Sequence, residues 1–267
     1  MATYKTYDTI GIREDLQDAI YDISPTTTPF MSTVGRTKAK NTYHEWQTDS
    51  LADVNLANAQ VEGADAVSST LTPTTRVGNY TQISDKVIQV STTDDVVDKA
   101  GRSTETAYQL SKASAEIKRD MESILLSDQA QDAGGTATPR KLGGLASWLT
   151  TNTVNTAGGA LTEDMLKEAV LKAYNSGGEP DVLLVSPANK QVVSTFAGIA
   201  EQRYQAPKSS PTTIIGAADV YLSDFGSVSV VPDRFLSDDY SYVLDPSMAS
   251  VAYLRPFKSQ KLAKMGD

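Results

Sequence analysis

The side chains that could carry out catalysis are few in this sequence and are not grouped. The chain has one histidine, His44, and no cysteine, which excludes a cysteine–histidine pair and cysteine-ligated zinc. His44 is followed by Glu45 and Trp46 in a strand-like segment, and the chain contains no GxSxG motif to supply a nucleophilic serine. We therefore predict that His44 is a polar strand residue and that the chain has no catalytic residues.

Neighbouring carboxylates and glycines are the other patterns that could support chemistry. The carboxylate pairs are Asp94-Asp95, Glu163-Asp164 and Asp238-Asp239. A glycosidase would need two carboxyl groups about 5–10 Å apart in a cleft, and Asp238-Asp239 instead lie in a turn-like LSDDYS sequence. The paired glycines at 134, 143 and 158 precede no Lys-Ser or Lys-Thr, so no phosphate-binding loop is indicated. We predict no metal and no cofactor, with a carboxylate-dependent hydrolase as a remote alternative.

Composition and charge further narrow the classes of protein to which the chain could belong. The chain has 267 residues, of which 40% are hydrophobic and 21% charged, enough for one large domain or two lobes. Its net charge of −9 disfavours broad electrostatic binding to nucleic acid. No apolar run approaches the roughly 18 residues of a membrane span, and the N-terminus has no secretory signal pattern.

The most informative element is a polar segment, residues 48–75, which contains no aromatic residue, lysine or arginine. Strand-like sequences flank it at 41–47 and 76–90, which predicts a long antiparallel ribbon with this segment at its tip. A structureless loop of this length inside a compact domain is uncommon and is usually functional or disordered. We therefore expect another molecule to order it, which indicates assembly.

A long helix should follow, from residue 103 or 104 to about 127. Its apolar stripe comprises Ala107, Leu110, Ala113 or Ser114, Ile117, Met121, Ile124 and Leu125. Two i,i+4 ion pairs are expected on its surface, Lys112–Glu116 and Lys118–Glu122. At about 1.5 Å per residue the helix would be roughly 35 Å long, a spine for the fold.

The rest of the sequence predicts an N-terminal arm and a lobe that contains both helices and strands. Residues 1–40 contain a short amphipathic stretch at 14–23 and two prolines, so we expect an extended arm anchored by Phe30 and Met31. A helix capped by Thr162, a buried strand at 181–185 and a helix capped by Ser186 indicate an α/β lobe. Its second helix should face inward through Val192, Val193, Phe196 and Ile199. Strands are expected at 213–215, 220–222, 228–231, 242–244 and 250–264.

Several short motifs accompany this order of elements: Ser24-Pro25, Thr28-Pro29-Phe30, Glu45-Trp46, Asp49-Ser50-Leu51, Glu62-Gly63 and Asn79-Tyr80-Thr81-Gln82-Ile83. Together, the order and the motifs resemble the major capsid proteins of tailed bacteriophages, which have the HK97-like fold. The resemblance implies an α+β fold with an N-terminal arm (1–40) and an extended hairpin called the E-loop (41–90). It also implies a peripheral domain (91–149 and 245–267, with the spine helix at 104–127) and an axial domain (150–244).

The resemblance further implies a structural protein that assembles with itself into hexamers and pentamers of an icosahedral head enclosing double-stranded DNA. It would be located in the virion and assembled in the host cytoplasm. Its other partners would be a separate scaffolding protein, a portal protein at one vertex and, left open, a decoration protein; DNA would be packaged without sequence-specific binding, and no membrane is involved. Some members form a lysine–asparagine cross-link, but no lysine lies between Lys40 and Lys86, so a non-covalent shell is expected.

Candidate contacts between subunits follow from the arm, the loop and the charges near them. They are Phe30, Trp46, Asp49, Asp53, Glu62, Asp65, Arg76, Arg119, Lys258 and Lys261. The acidic loop residues could pair with the basic residues of a neighbouring subunit, although solvated surface charge is an equally good explanation. A bacterial nanocompartment shell of the same fold stays an alternative, and a tail-tube or adhesin subunit is disfavoured by the long helix.

Overall fold

The computed structural model describes residues 24–66, 68, 71–156, 158–196 and 219–262. Its α-helices are α1 (Pro29–Thr33), α2 (Thr92–Val96), α3 (Glu105–Leu126), α4 (Leu145–Trp148), α5 (Glu163–Asn175) and α6 (Pro187–Val193). Its strands are β1 (Gly35–Lys38), β2 (Tyr43–Thr48), β3 (Thr75–Tyr80), β4 (Val182–Val185), β5 (Val220–Ser223), β6 (Gly226–Pro232), β7 (Ser241–Leu244) and β8 (Ser250–Tyr253). The expectation of a mixed helix and strand fold is confirmed.

The described chain divides into two compact units. The first contains the described residues of 24–27, 84–120 and 257–262, and the second contains those of 28–83 and 121–256. Helix α3 therefore contributes residues 105–120 to the first unit and 121–126 to the second.

A four-stranded sheet in the order β5-β6-β4-β7 forms the centre of the second unit. Strand β4 pairs parallel with β6 and antiparallel with β7, and all four of its residues are buried. Because side chains alternate along a strand, Leu183 and Val185 enter one apolar cluster while Leu184 enters another. The sheet therefore separates two cores, as expected for a strand with an unbroken apolar sequence.

The first core is closed by α5 and α6, which begin where the sequence predicts, and α5 also ends there. Thr162 accepts a hydrogen bond from Met165 N (3.4 Å), and Ser186 accepts one from Asn189 N (3.2 Å). Helix α6 ends at Val193, earlier than its predicted inward face implies, but Val193 and the following Phe196 are both buried as predicted. Gly177 follows α5 with a φ of +84°, a conformation that glycine adopts without strain.

Helix α1 contributes Phe30 to the second core. Phe30 and Met31 are 6% and 8% exposed, which agrees with the prediction that they anchor this segment. The two prolines predict extended backbone only at the residue before each of them; Pro29 itself occupies the first turn of α1, where its missing N–H costs no hydrogen bond. Beyond α1, β1 pairs in parallel with β8.

The C-terminal strand is shorter than predicted, because β8 ends at Tyr253 and residues 254–262 form no strand. The amphipathic stretch at 14–23, Ile199 and the strand expected at 213–215 lie outside the described residues.

The first unit contains α2 and most of α3. Asp95 accepts a hydrogen bond from Thr106 N (2.9 Å) at the start of α3, and this bond lowers the pKa of Asp95. Glu116 is paired with Lys86, and a hydrogen bond from that lysine lowers the pKa of Glu116.

The predicted stripe of α3 is only partly correct. Ala113 and Ile117 are buried as expected, but Ala107 and Leu110 are exposed in this chain. Within the described ranges, no helix is long and apolar enough to cross a membrane.

Candidate assembly surface

Strands β2 and β3 form the antiparallel hairpin that the sequence predicts. Tyr43 lies opposite Tyr80, and their ring centroids are 4.5 Å apart. The ribbon is shorter than predicted, because β3 ends at Tyr80 and residues 81–90 form no strand. This end lies just before the phase slip that the sequence shows near residues 84–85.

Gly78 permits the close approach of the two strands of this hairpin. It lies opposite Glu45, and a Cβ atom built on it would lie 2.8 Å from both the Glu45 Cγ and the His44 carbonyl oxygen. Any larger residue would force the hairpin apart, so the sequence requires glycine here for packing.

The base of the hairpin is held by residues at the end of β3 and just after it. Asn79 donates to the Gly143 carbonyl oxygen (3.0 Å) and accepts from Gly143 N (2.8 Å). The Arg140 guanidinium donates to the Thr81 carbonyl oxygen (2.5 Å), and the Gln129 amide donates to Gln82 Oε1 (2.9 Å). Most of the Asn79–Ile83 motif is therefore explained by anchoring of the hairpin.

Trp46 extends this anchor. Its ring lies 5.5 Å from that of Trp148 in α4, yet 41% of the residue stays exposed. Glu45 and Arg76 form an ion pair across the hairpin (2.9 Å). The loop therefore extends from a hairpin whose base is fixed in place.

The loop between β2 and β3 has no helix or strand among its described residues, all of which are exposed from 49 to 74. Its large apolar side chains stand almost entirely in solvent. They are Leu51 (98% exposed), Val54 (87%), Leu56 (96%), Val61 (80%) and Leu71 (88%). This segment buries none of these side chains against its own subunit, and exposed apolar surface of this kind marks a protein-binding site where its members lie together in one patch.

The predicted contact residues fall into different environments. Four acidic residues of the loop are exposed: Asp49, Asp53, Glu62 and Asp65. Lys258 and Lys261 are exposed and Arg119 is half-buried, whereas Arg76 is already paired with Glu45. Phe30 lies in the core of its own subunit, so its side chain is not available to a neighbour in this structure.

The five apolar residues of the loop were not predicted from the sequence as contacts between subunits, because the segment as a whole is polar. The position of Glu122 was not predicted either, since this residue was expected to pair with Lys118 on the helix surface. Glu122 is fully buried and Lys118 exposed, so that pair is wrong. The sequence does place Glu122 one turn before Leu126, on the same helix face. In the structure Leu126 is 1% exposed, so that face is buried.

Residues considered for chemistry occupy structural positions. His44 is half-buried in β2, opposite Asn79. Asp239 forms a local turn in which Ser237 Oγ donates to its Oδ2 (2.9 Å), and Asp238 is exposed. Gly144 lies so close to the end of α3 that a Cβ there would be 2.2 Å from the Ser127 carbonyl oxygen. In the part of the chain that the structure describes, no three His, Cys, Asp or Glu residues are grouped to hold a metal.

Comparison with known proteins identifies the family of the chain. A family model described as the SU10 major capsid protein matches residues 2–267. The major capsid protein of Escherichia phage Phieco32 is 29% identical over 317 residues, covering 99% of this chain and 89% of that protein.

Two solved phage structures superpose on most of this chain and share its fold. A chain of the cyanophage A-1(L) capsid asymmetric unit superposes with a TM-score of 0.59 at 14% identity, covering 94% of this chain and 78% of that one. A chain of Mycobacterium phage Cain superposes with a TM-score of 0.51 at 13% identity, covering 94% and 79%.

Proposed function

This chain belongs to the SU10 major capsid protein family, as a structural component of a phage shell, and we propose that its copies form the hexamers and pentamers of an icosahedral head around double-stranded DNA. The family match supports this function in preference to a nanocompartment shell. Membership of a capsid family also implies a non-enzymatic role.

The observation that carries the proposal is the exposed apolar group of the loop. Full burial of one valine or leucine side chain contributes about 1.5–3 kcal/mol. The chain leaves five such residues in water on a segment that cannot bury them itself. A second copy is the occupant that the family implies, since a shell offers every loop an identical neighbour.

One loop contact per subunit is sufficient for assembly because every subunit repeats it. Each subunit would give its loop to one neighbour and receive a loop from another, so a closed ring forms all its contacts together. The anchored base of the hairpin supports this arrangement, because a loop that leaves from a fixed position loses less freedom when it binds.

Charges on the loop would complement its apolar contacts. We propose that Asp49, Asp53, Glu62 and Asp65 face basic residues of the neighbouring subunit. Arg119, Lys258 and Lys261 are the available candidates, and Arg76 contributes less because Glu45 already pairs with it. Exposed pairs of this kind contribute about 0–1 kcal/mol each. They would therefore fix the position of the loop on its neighbour more than they would strengthen its binding.

The HK97-like domain plan is proposed on the same basis. The arm would comprise residues 1–40, the E-loop 41–90, the peripheral domain 91–149 with 245–267, and the axial domain 150–244. Trp46, at the base of the E-loop, keeps enough exposed surface to contact a neighbour as well. A scaffolding protein and a portal protein are the further partners of this plan, with decoration left open, and assembly would occur in the host cytoplasm.

Deletion of residues 54–71 tests the function. We expect a protomer that stays folded, because the described residues removed are exposed and the hairpin base is anchored elsewhere. The variant should form no closed shells by electron microscopy, alone or with a scaffolding partner, under conditions where the parent chain forms them. A deletion variant that forms normal shells would refute the role of the loop.

A further inference from the structure

Two buried carboxyl groups meet where the arm enters the core. Glu122 in α3 and Asp233 after β6 are both 0% exposed. The Glu122 carboxylate accepts hydrogen bonds from Phe30 N (Oε1, 2.6 Å) and Met31 N (Oε2, 3.0 Å) in the first turn of α1. Glu122 therefore caps the arm helix from another part of the chain.

Asp233 is less well satisfied. Its Oδ1 accepts a hydrogen bond from Phe235 N (2.8 Å), but its Oδ2 is buried with no hydrogen-bond partner among the described residues. A buried carboxylate oxygen without a partner is costly, and two ionised carboxylates side by side in a dry site are more costly still. One proton held between Glu122 and Asp233 removes both costs.

The electrostatics agree with this geometry. The pKa of Glu122 is raised to about 7, mainly by burial; the neighbouring Asp233 also raises it, and the Met31 and Phe30 N–H groups lower it. Burial also raises the pKa of Asp233. The pair thus keeps a proton to a higher pH than an exposed carboxylic acid would.

Other ionisable groups around the pair do not replace that proton. Helix α1 has the sequence PFMST and contributes none. From the sheet, the Tyr242 hydroxyl donates to the Leu126 carbonyl oxygen (2.7 Å), and burial raises the pKa of Tyr242. Lys118 and Arg119 lie one turn earlier in α3, and Lys118 is exposed, as is Arg234 beside Asp233.

We propose that Glu122 and Asp233 form a proton-dependent latch that fastens residues 29–33 to the core of the subunit and loosens them when the shared proton is lost. The latch rests on contacts within one chain and does not depend on the assembly proposed above. It would make the release of the arm a response to pH in the range in which the pair titrates.

The direction of the effect follows from proton binding. In the docked arm Glu122 titrates near pH 7, and when α1 lifts away water lowers its pKa towards the ordinary value of 4.5. The docked state therefore binds one more proton between these limits. Docking should weaken about 40-fold in total as the pH rises from 5 to 7, and should level off above pH 7.

Hydrogen exchange of the Phe30 and Met31 amides in the full chain tests this proposal. After correction for the intrinsic exchange rate, their protection should fall about 40-fold between pH 5 and 7. In Glu122→Gln the amide oxygen can accept from only one of these two N–H groups, because the NH2 group takes the place of the other acceptor. Protection should therefore be lower at one of the two amides at every pH, but at neither amide should it vary with pH. Glu116→Gln, on the same helix but outside the pair, should keep the parent profile.

A second variant keeps the test decisive if Glu122→Gln does not fold. Asp233→Asn supplies a donor from the other side and removes the second carboxyl group, but it leaves Glu122 buried, so the fall in protection should move to lower pH and be smaller between pH 5 and 7. The latch is refuted if protection in the parent chain changes less than threefold between pH 5 and 8. It is equally refuted if a folded Glu122→Gln or Asp233→Asn variant keeps the parent slope.

Discussion

Replacing the exposed leucines of the loop should abolish assembly while leaving the protomer folded. Leu51, Leu56 and Leu71 are 98%, 96% and 88% exposed, so their side chains contribute almost nothing to the core of their own subunit. Serine at all three positions should therefore change the free energy of unfolding by no more than about 0.5 kcal/mol per site.

The effect on assembly should be much larger. If a neighbour buries all three leucines, they contribute about 5–9 kcal/mol to each loop contact. Loss of that contribution weakens the contact at least about a thousandfold, since 1.4 kcal/mol corresponds to a factor of ten. Sedimentation and electron microscopy would measure shell formation, and urea unfolding would measure the stability of the protomer.

A matched variant with methionine at the same three positions separates apolar area from other causes. Methionine keeps most of the buried apolar surface, so this variant should still assemble. The reasoning is refuted if the serine variant assembles like the parent chain. It is also refuted if the methionine variant fails as completely as the serine variant, because apolar burial would then not be the cause.

Three further predictions address charge, anchoring and covalent linkage. Reversing Glu62 and Asp65 to lysine should lower the denaturant concentration at which shells dissociate without abolishing assembly, and an unchanged midpoint would argue against charge pairing. Phe30→Ala should cost about 3–5 kcal/mol in urea unfolding of the protomer, because Phe30 is only 6% exposed; a loss below about 1 kcal/mol would contradict its role as an anchor. Boiled, reduced shells should run as single chains on a denaturing gel, since no lysine lies between Lys40 and Lys86, and a ladder of linked subunits would show otherwise.

The elements that sequence predicted well are those whose local signals agree. Helix α5 has its Thr162 cap and a glycine at its end, and β4 is an unbroken apolar run. Helix α3 was located correctly from its period, because 22 residues give the pattern several turns in which to repeat.

The parts that sequence could not predict depend on partners distant along the chain. Pairing of β1 with β8 joins segments more than 200 residues apart, and neither strand has a strong pattern of its own. The capping of α1 by Glu122 spans about 90 residues, so its charge looked like an ordinary surface charge. The loop is the opposite case, because its partner is proposed to lie outside the chain.

Electron cryomicroscopy of particles formed by the expressed chain, with and without a scaffolding protein, tests the central claim most directly. The account predicts closed icosahedral shells in which each loop lies on a neighbouring copy, with the side chains of Leu51, Leu56 and Leu71 buried in that contact. A chain that stays monomeric under every condition would contradict it. So would shells in which those three leucines remain in solvent.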